Sequence, residues 1–179
     1  MLFKFLSVLA SLALAHTALA TPVARAACNP TMAGTEITIA SGALAVGYAR
    51  STAGAPLVSK NRSAAAGEWI AEPSTVANGG FVLRDAASAG LYATWTSGAL
   101  ALEPLVAPED GKQGWGFVCA ECHDSSTVGA GGVIASACNV VSGWTGQCLQ
   151  IGSAAGAPVA VANCADLGAG TQYFEVYRA

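Results

Sequence analysis

The densest cluster of reactive side chains in the sequence is Cys119-Ala120-Glu121-Cys122-His123. As a string it matches a c-type haem attachment site, with two thiols for thioether bonds and an imidazole for the iron. A haem also needs a second axial ligand or a defined open position, and past residue 20 the chain offers no other imidazole and one thioether, Met32. Cys119, Cys122, His123 and Cys138 also carry the donor types of a tetrahedral zinc site, because a Cys-x-x-Cys turn can set two sulfurs on one tetrahedron. The competing chemistry is oxidation. Cys28, Cys119, Cys122, Cys138, Cys148 and Cys164 form an even set, and in an exported protein three disulfides are favoured over haem or metal. Spacing alone leaves the pairing open, and neither cofactor nor metal is expected.

Acid–base and nucleophilic chemistry finds little support. His123 and Asp124 are neighbours in sequence, too close to be a dependable orienting pair, and no serine lies in a Gly-x-Ser-x-Gly elbow. No glycine-rich phosphate loop precedes a helical pattern. Glu103, Glu109 and Asp110 could serve as acid and base for glycoside hydrolysis, but they stand in a proline-flanked stretch where carboxylates are usually solvated. The expectation is that the chain is not an enzyme.

Aromatic residues in polar turns are more informative. Trp144 sits within Ser142-Gly143-Trp144-Thr145-Gly146, and Trp95 among Thr94, Thr96, Ser97 and Gly98. A large ring with small polar neighbours has little to bury against, and suits the apolar face of a sugar or the hydrophobic anchor of a protein. Gln150 follows Trp144 closely enough to add an amide hydrogen bond, so Trp144, Gln150 and Asn163 are the expected ligand group. Asn61-Arg62-Ser63 is a glycosylation sequon, whereas Asn29-Pro30-Thr31 is blocked by its proline.

The elements that must position these residues are short strands. Residues 1–20 read as a cleavable export signal: Lys4 gives a positive start, an apolar run follows, and Ala18-Leu19-Ala20 is a small-x-small cleavage pattern. The remainder, 21–179, is expected to be one domain, extracellular and monomeric. Of the 179 residues of the full chain 53% are hydrophobic and 11% charged, enough for a single core and unlike a disordered tail or a charged coiled coil. With a net charge of -3 and scattered Lys and Arg, the chain lacks the clustered cations that nucleic acid or an anionic membrane would require. Brief runs of Val, Ile, Leu and aromatics punctuated by Gly, Ser, Pro and Asn indicate an all-β protein.

Those strands recur. Leu44-Ala45-Val46, Leu91-Tyr92-Ala93 and Cys148-Leu149-Gln150 open three comparable segments that end in Gly67-Glu68-Trp69, Gln113-Gly114-Trp115 and Gln172-Tyr173-Phe174. The repeats run about 36–71, 80–118 and 133–178, with an inserted loop at 119–131 that carries the Cys-x-x-Cys-His, as insertions between repeats do. The pattern resembles the ricin B-type β-trefoil family, whose repeats end in Gln-x-Trp. The resemblance implies a six-stranded barrel capped by three hairpins, with Trp69, Trp115 and Phe174 in its core. It also implies that Cys148 pairs with Cys164 inside the third repeat. The other four cysteines are expected to join Cys138 to the 119–122 segment and Cys28 to the cysteine left over.

Sugar recognition in that family uses an acidic residue after the first Cys-Val, an aromatic platform before the second Cys, and an Asn beside the Gln. Aligned by sequence, these positions hold Ala45, Ala93 and Gln150; Lys60, Glu103 and Ala162; and Ala66, Lys112 and Thr171. The resemblance therefore implies a secreted carbohydrate-binding module with degenerate sugar sites and a glycan partner. The alternative is a non-lectin trefoil, a protease inhibitor or effector that binds an extracellular protein through its loops. Peptide mapping of the unreduced protein should find Cys148 joined to Cys164, a link that contributes about 3 kcal/mol on the chain-entropy model; either cysteine free or bonded elsewhere would break the repeat alignment where it is strongest.

Overall fold

The structure is a computed structural model that describes residues 27–62, 68–76, 80–107, 110–167 and 169–179. The expected export signal lies outside the described residues. Three sets of four strands carry the chain: β1 (Thr35–Ser41), β2 (Leu44–Tyr48), β3 (Leu57–Asn61) and β4 (Trp69–Pro73); β5 (Phe81–Asp85), β6 (Leu91–Thr96), β7 (Ala99–Pro104) and β8 (Gly114–Val118); and, after the short β9 (Glu121–Cys122), β10 (Val133–Ser142), β11 (Cys148–Gln150), β12 (Ala160–Ala162) and β13 (Phe174–Arg178). The helical content among the described residues is one 3-10 turn, Gly170–Gln172.

Strand pairing closes a ring. β1 pairs with β4, β4 with β5, β5 with β8, β8 with β10, β10 with β13, and β13 with β1, all antiparallel. Three further pairs, β2–β3, β6–β7 and β11–β12, are hairpins, one inserted between the two barrel strands of each set. A six-stranded barrel with three hairpins on one end is a β-trefoil. Closure removes the free strand edges that a flat sheet of this composition would expose.

Register reveals a threefold repetition that the sequence holds weakly. On the barrel, Ile37 faces Trp69, Phe81 faces Trp115, and Cys138 faces Phe174. Further along the same strands Ala40 faces Ala45, Arg84 faces Tyr92, and Val141 faces Cys148. Trp69, Trp115 and Phe174 are wholly buried and fill the interior with Ile37, Ile39, Leu83, Leu102 and Ile134. Each indole also donates to the main chain of its own hairpin, Trp69 Nε1 to the Val46 carbonyl at 2.8 Å and Trp115 Nε1 to that of Ala93 at 3.0 Å. Phe174 packs in the same place without a donor.

The glutamine two residues before the aromatic does the second half of the work. Gln113 Nε2 donates to the Pro104 carbonyl and to Thr94 Oγ1, both at 2.9 Å, while its Oε1 accepts the Val106 N–H at 2.9 Å. Gln172 repeats this in the third set, donating to the Asn163 carbonyl at 2.9 Å and accepting from the Ala165 N–H at 2.6 Å. The chain leaving each hairpin is thus pinned by a buried amide, which satisfies backbone groups that strand pairing has released. Gly67 occupies the matching position of the first set in sequence and lies outside the described residues.

At the end away from the hairpins, Met32 is buried in the core and residues on either side of it close the barrel. Cys28 exchanges two main-chain hydrogen bonds with Cys119, of 2.8 and 2.9 Å, and the Arg178 guanidinium donates to the Ser125 and Val128 carbonyls at 2.9 and 2.6 Å. The inserted segment is therefore held down, with β9 paired to β10. The structure accommodates it by bulging β10, where pairing with β13 slips twice and Ala137 adopts a φ of 50°.

Two outcomes follow for chemical denaturation. Trp115→Ala should cost about 3 to 5 kcal/mol, because it leaves a cavity in a closed barrel, whereas Trp144→Ala should stay within about 0.5 kcal/mol of the parent; equal losses would mean that the wrong ring has been placed in the core. Gln113→Ala should cost about 1 to 3 kcal/mol, through the carbonyl and N–H groups it leaves unpaired, and raise hydrogen exchange at Val106; unchanged exchange there would contradict the pinning role.

Candidate functional site

Both cysteines of the haem-like motif are consumed by disulfides, Cys119 with Cys138 and Cys122 with Cys28, and the third bond joins Cys148 to Cys164. With their sulfurs oxidised, neither Cys119 nor Cys122 offers a thiol for haem attachment or a thiolate for zinc. His123 is exposed on the surface. Its main-chain N–H donates to the Ile134 carbonyl at 2.7 Å, which continues β9 alongside β10. The motif is a staple that ties the N-terminal segment and the insertion to the barrel.

The hairpin register fixes which residues correspond among the three sets. Ala45, Tyr92 and Cys148 are equivalent from their barrel partners, and across the hairpins they face Lys60, Glu103 and Ala162. The platform positions assigned from sequence thus correspond to one another. The acidic positions do not. Two residues on from Ala45, Tyr92 and Cys148, the structure places Gly47, Thr94 and Gln150, so Ala45 and Ala93 were out of register by two residues and by one. A hairpin composed largely of Ala, Val and Leu has few side chains that fix its phase, and the indole hydrogen bonds to Val46 and Ala93 supply what the sequence lacked.

With the register set, the three sets differ in what occupies these positions. In the first, Lys60 packs across Gly47 so closely that a β-carbon on Gly47 would lie 2.5 Å from the lysine side chain. Its ammonium is held by Glu68 at 2.8 Å. A depression of about 440 Å³ lies beside it, bordered by Tyr48, Asn61 and Gly156. In the third set, Gln150 Nε2 donates to Thr171 Oγ1 at 3.0 Å, which ties two of the three positions to each other, and the platform position is Ala162.

In the second set the same three positions, Thr94, Glu103 and Lys112, border one cleft of about 460 Å³ together with Trp95, Leu105 and Asp110. Its walls are the ones Gln113 secures, since Thr94, Pro104 and Val106 are all Gln113 partners. The hairpin turn that overhangs it is Ser97-Gly98, with φ of 27° and 110°, a left-handed pair that follows the twist of the two strands. Trp95 is half-buried, and its main-chain N–H donates to the Lys112 carbonyl at 2.8 Å, joining the hairpin to the return loop.

The cleft is polar on one side and apolar on the other. Lys112 Nζ lies 3.1 Å from Asp110 Oδ2, and its main-chain N–H donates to Asp110 Oδ1 at 3.0 Å. Desolvation by burial pushes the Asp110 carboxyl up, but the hydrogen bonds from Lys112 and its charge outweigh it and hold the group below its ordinary value. Asp110 therefore stays a carboxylate into acidic solution. Glu103 has no hydrogen bond or ion pair among the described residues. Thr94 is fully engaged, since its hydroxyl donates to the Tyr92 carbonyl at 2.9 Å while accepting from Gln113. Leu105 and Val106 are exposed at the rim.

Trp144, 54% exposed, stands in the turn between β10 and β11, with the Lys112 ammonium 5.1 Å from its ring centre. It leans toward the second set's cleft. Gln150 is occupied by Thr171, and Asn163 is exposed with its carbonyl held by Gln172, so these two border the 3-10 turn Gly170–Gln172. The Trp144 ring lies against Lys112, and Gln150 is hydrogen-bonded to Thr171. Asn61 is exposed at the end of β3, and Ser63 of its sequon lies outside the described residues. Of the three carboxylates considered for glycoside hydrolysis, Glu103 and Asp110 line this cleft and Glu109 lies outside the described residues; Lys112 enters the sequence reading only as a departure from the family pattern.

No family model matches the sequence, and no curated protein matches it. Among solved structures, the fold is similar to a chain in a structure described as the structure and mode of action of a mosquitocidal holotoxin, with a TM-score of 0.61 at 12% identity over 82% of this chain. This chain spans 17% of that toxin chain's length. At that identity the likeness concerns the fold alone: a β-trefoil, reached independently from the strand pairing above.

Proposed function

We propose that the chain is an exported carbohydrate-binding module of ricin B type whose working site is the cleft of the second repeat. The observation that carries this is the convergence of Thr94, Glu103 and Lys112, the three positions a ricin B-like repeat devotes to sugar, on one cleft beside a half-buried tryptophan. A sugar presents a face of C–H groups and a rim of hydroxyls. Trp95 supplies a ring for the first, and the carboxylates of Glu103 and Asp110 accept from the second strongly enough to offset the desolvation of both. Trp144 extends the apolar surface at the Lys112 side.

The hydrogen bonds and charge of Lys112 hold the Asp110 carboxyl below its ordinary value, which suits a hydrogen-bond acceptor for sugar hydroxyls and not the protonated acid of a glycosidase. Export rests on the residue 1–20 pattern, and three disulfides agree with an oxidising compartment. No helix among the described residues is long and apolar enough to cross a membrane. The third-repeat group of Trp144, Gln150 and Asn163 is the lesser site, because Gln150 must first release Thr171.

One observation favours a protein partner instead. Leu105, Val106 and Trp144 are exposed together around the cleft, and clustered apolar side chains of that kind also anchor protein interfaces. A glycan array on the secreted protein, followed by titration of the best glycan, separates the two. Trp95→Ala should weaken glycan binding by about tenfold or more at an unchanged melting temperature, with a smaller loss for Trp144→Ala. Glycan affinity that survives Trp95→Ala would rule out this cleft, and an empty array beside a protein that binds through the Trp95 face would favour the second reading.

A further inference from the structure

The three charged side chains on the second-repeat cleft are not equivalent. Lys112 and Asp110 neutralise one another at 3.1 Å, and the ammonium is further engaged by the Trp144 ring. Glu103 lies on β7 opposite Tyr92, on the cleft wall, with no cation on it among the described residues. Among the described residues that line the cleft, one negative charge is therefore left uncompensated, near the half-buried Trp95, which also packs against the core. A neutral sugar would leave that charge with hydroxyl donors only. A sugar bearing a primary ammonium would complete it, since the ammonium brings an opposite full charge as well as hydrogen-bond donors, which a hydroxyl does not.

We propose that the cleft selects a cationic amino sugar, a hexosamine whose amine is free rather than acetylated, with the ring stacked on Trp95 and the ammonium donating to the Glu103 carboxylate. The proposal rests on the carbohydrate-binding reading above and narrows it to one class. It also assigns the platform position of the second repeat a new task. Where the family pattern places an aromatic ring, this chain has Glu103, and Trp95 on the facing strand, which also packs against the core, borders the same cleft. An acetyl group on the same nitrogen would remove the charge and present an apolar methyl to the carboxylate, which loses the ion pair and adds an unfavourable desolvation.

The test is calorimetric titration with a glucosamine trisaccharide and with its fully N-acetylated counterpart, in mildly acidic buffer of low ionic strength. The parent should bind the free-amine form about tenfold more tightly, the worth of one charge-assisted hydrogen bond, and added salt should narrow the gap. Glu103→Gln should bring the two affinities within about twofold of each other by the same estimate. Asp166→Asn, which removes an equal charge from an exposed loop of the third repeat, should leave the gap intact and so exclude adsorption to an acidic surface. Equal or tighter binding of the acetylated form overturns the proposal, as does a gap that Asp166→Asn closes as well as Glu103→Gln. A trilysine peptide that competes on equal terms overturns the sugar assignment in favour of a basic protein segment. If neither trisaccharide binds while neutral glycans bind through Trp95, the amino-sugar proposal alone fails; if no glycan binds through Trp95, the functional reading fails with it.

Discussion

Gln113 and Trp115, two residues apart on one face of the chain, hold the second repeat together from opposite ends. The indole fills the barrel and reaches out to the Ala93 carbonyl, while the amide reaches Thr94, Pro104 and Val106. Barrel closure, hairpin position and the shape of the return loop are thereby coupled through one short segment. Gln113 stands in the turn just before β8 and Trp115 is the second residue of that strand, so one short segment engages the return loop and the barrel interior at once. The third repeat keeps the amide and replaces the indole with Phe174; the first keeps the indole and loses the amide. Only the second retains both, and there the polar positions open onto a cleft with a tryptophan beside it.

The cleft follows from this clamp. Residues that Gln113 binds are also residues that wall the cleft, so a buried core interaction fixes the spacing between Trp95 and Glu103 without using either side chain. A site built this way is pre-formed, and ligand ordering costs less when the walls do not move. The other two sets show what happens when the same positions are filled from within. Lys60 and Glu68 pair across Gly47, and Gln150 binds Thr171; in the second set Thr94 and Lys112 are likewise engaged, by Gln113 and Asp110, while Glu103 has no such partner among the described residues.

How much of this was legible in the sequence depends on how local each signal was. The aromatic ends of the repeats could be read because Trp69, Trp115 and Phe174 are large residues at a recurring spacing, and the fold class followed from them. The role of Trp144 as an exposed ring was also readable, since Ser142, Gly143 and Gly146 give it nothing to pack against. The phase of the hairpins was not, because Ala45 and Ala93 carry no side chain that distinguishes them from their neighbours. Nor was the cleft itself. Glu103 on β7 and Lys112 in the return loop border one cleft only when that loop folds against the β6–β7 hairpin, so a scan by family pattern registered them as losses. The direction of Trp144 was not legible either, since the Lys112 ammonium beside its ring is brought there by the return loop of another repeat.

The four indole N–H signals of the folded protein, followed by NMR during a titration with glucosamine trisaccharide, test the central claim most directly. Trp69 and Trp115, bonded to main-chain carbonyls in the core, should exchange slowly and keep their shifts, while the Trp95 signal moves in proportion to saturation and Trp144 moves less. Rapid exchange at Trp115, or a titration that leaves Trp95 unmoved while another site responds, would contradict the account in which one clamp both closes the barrel and holds the cleft open.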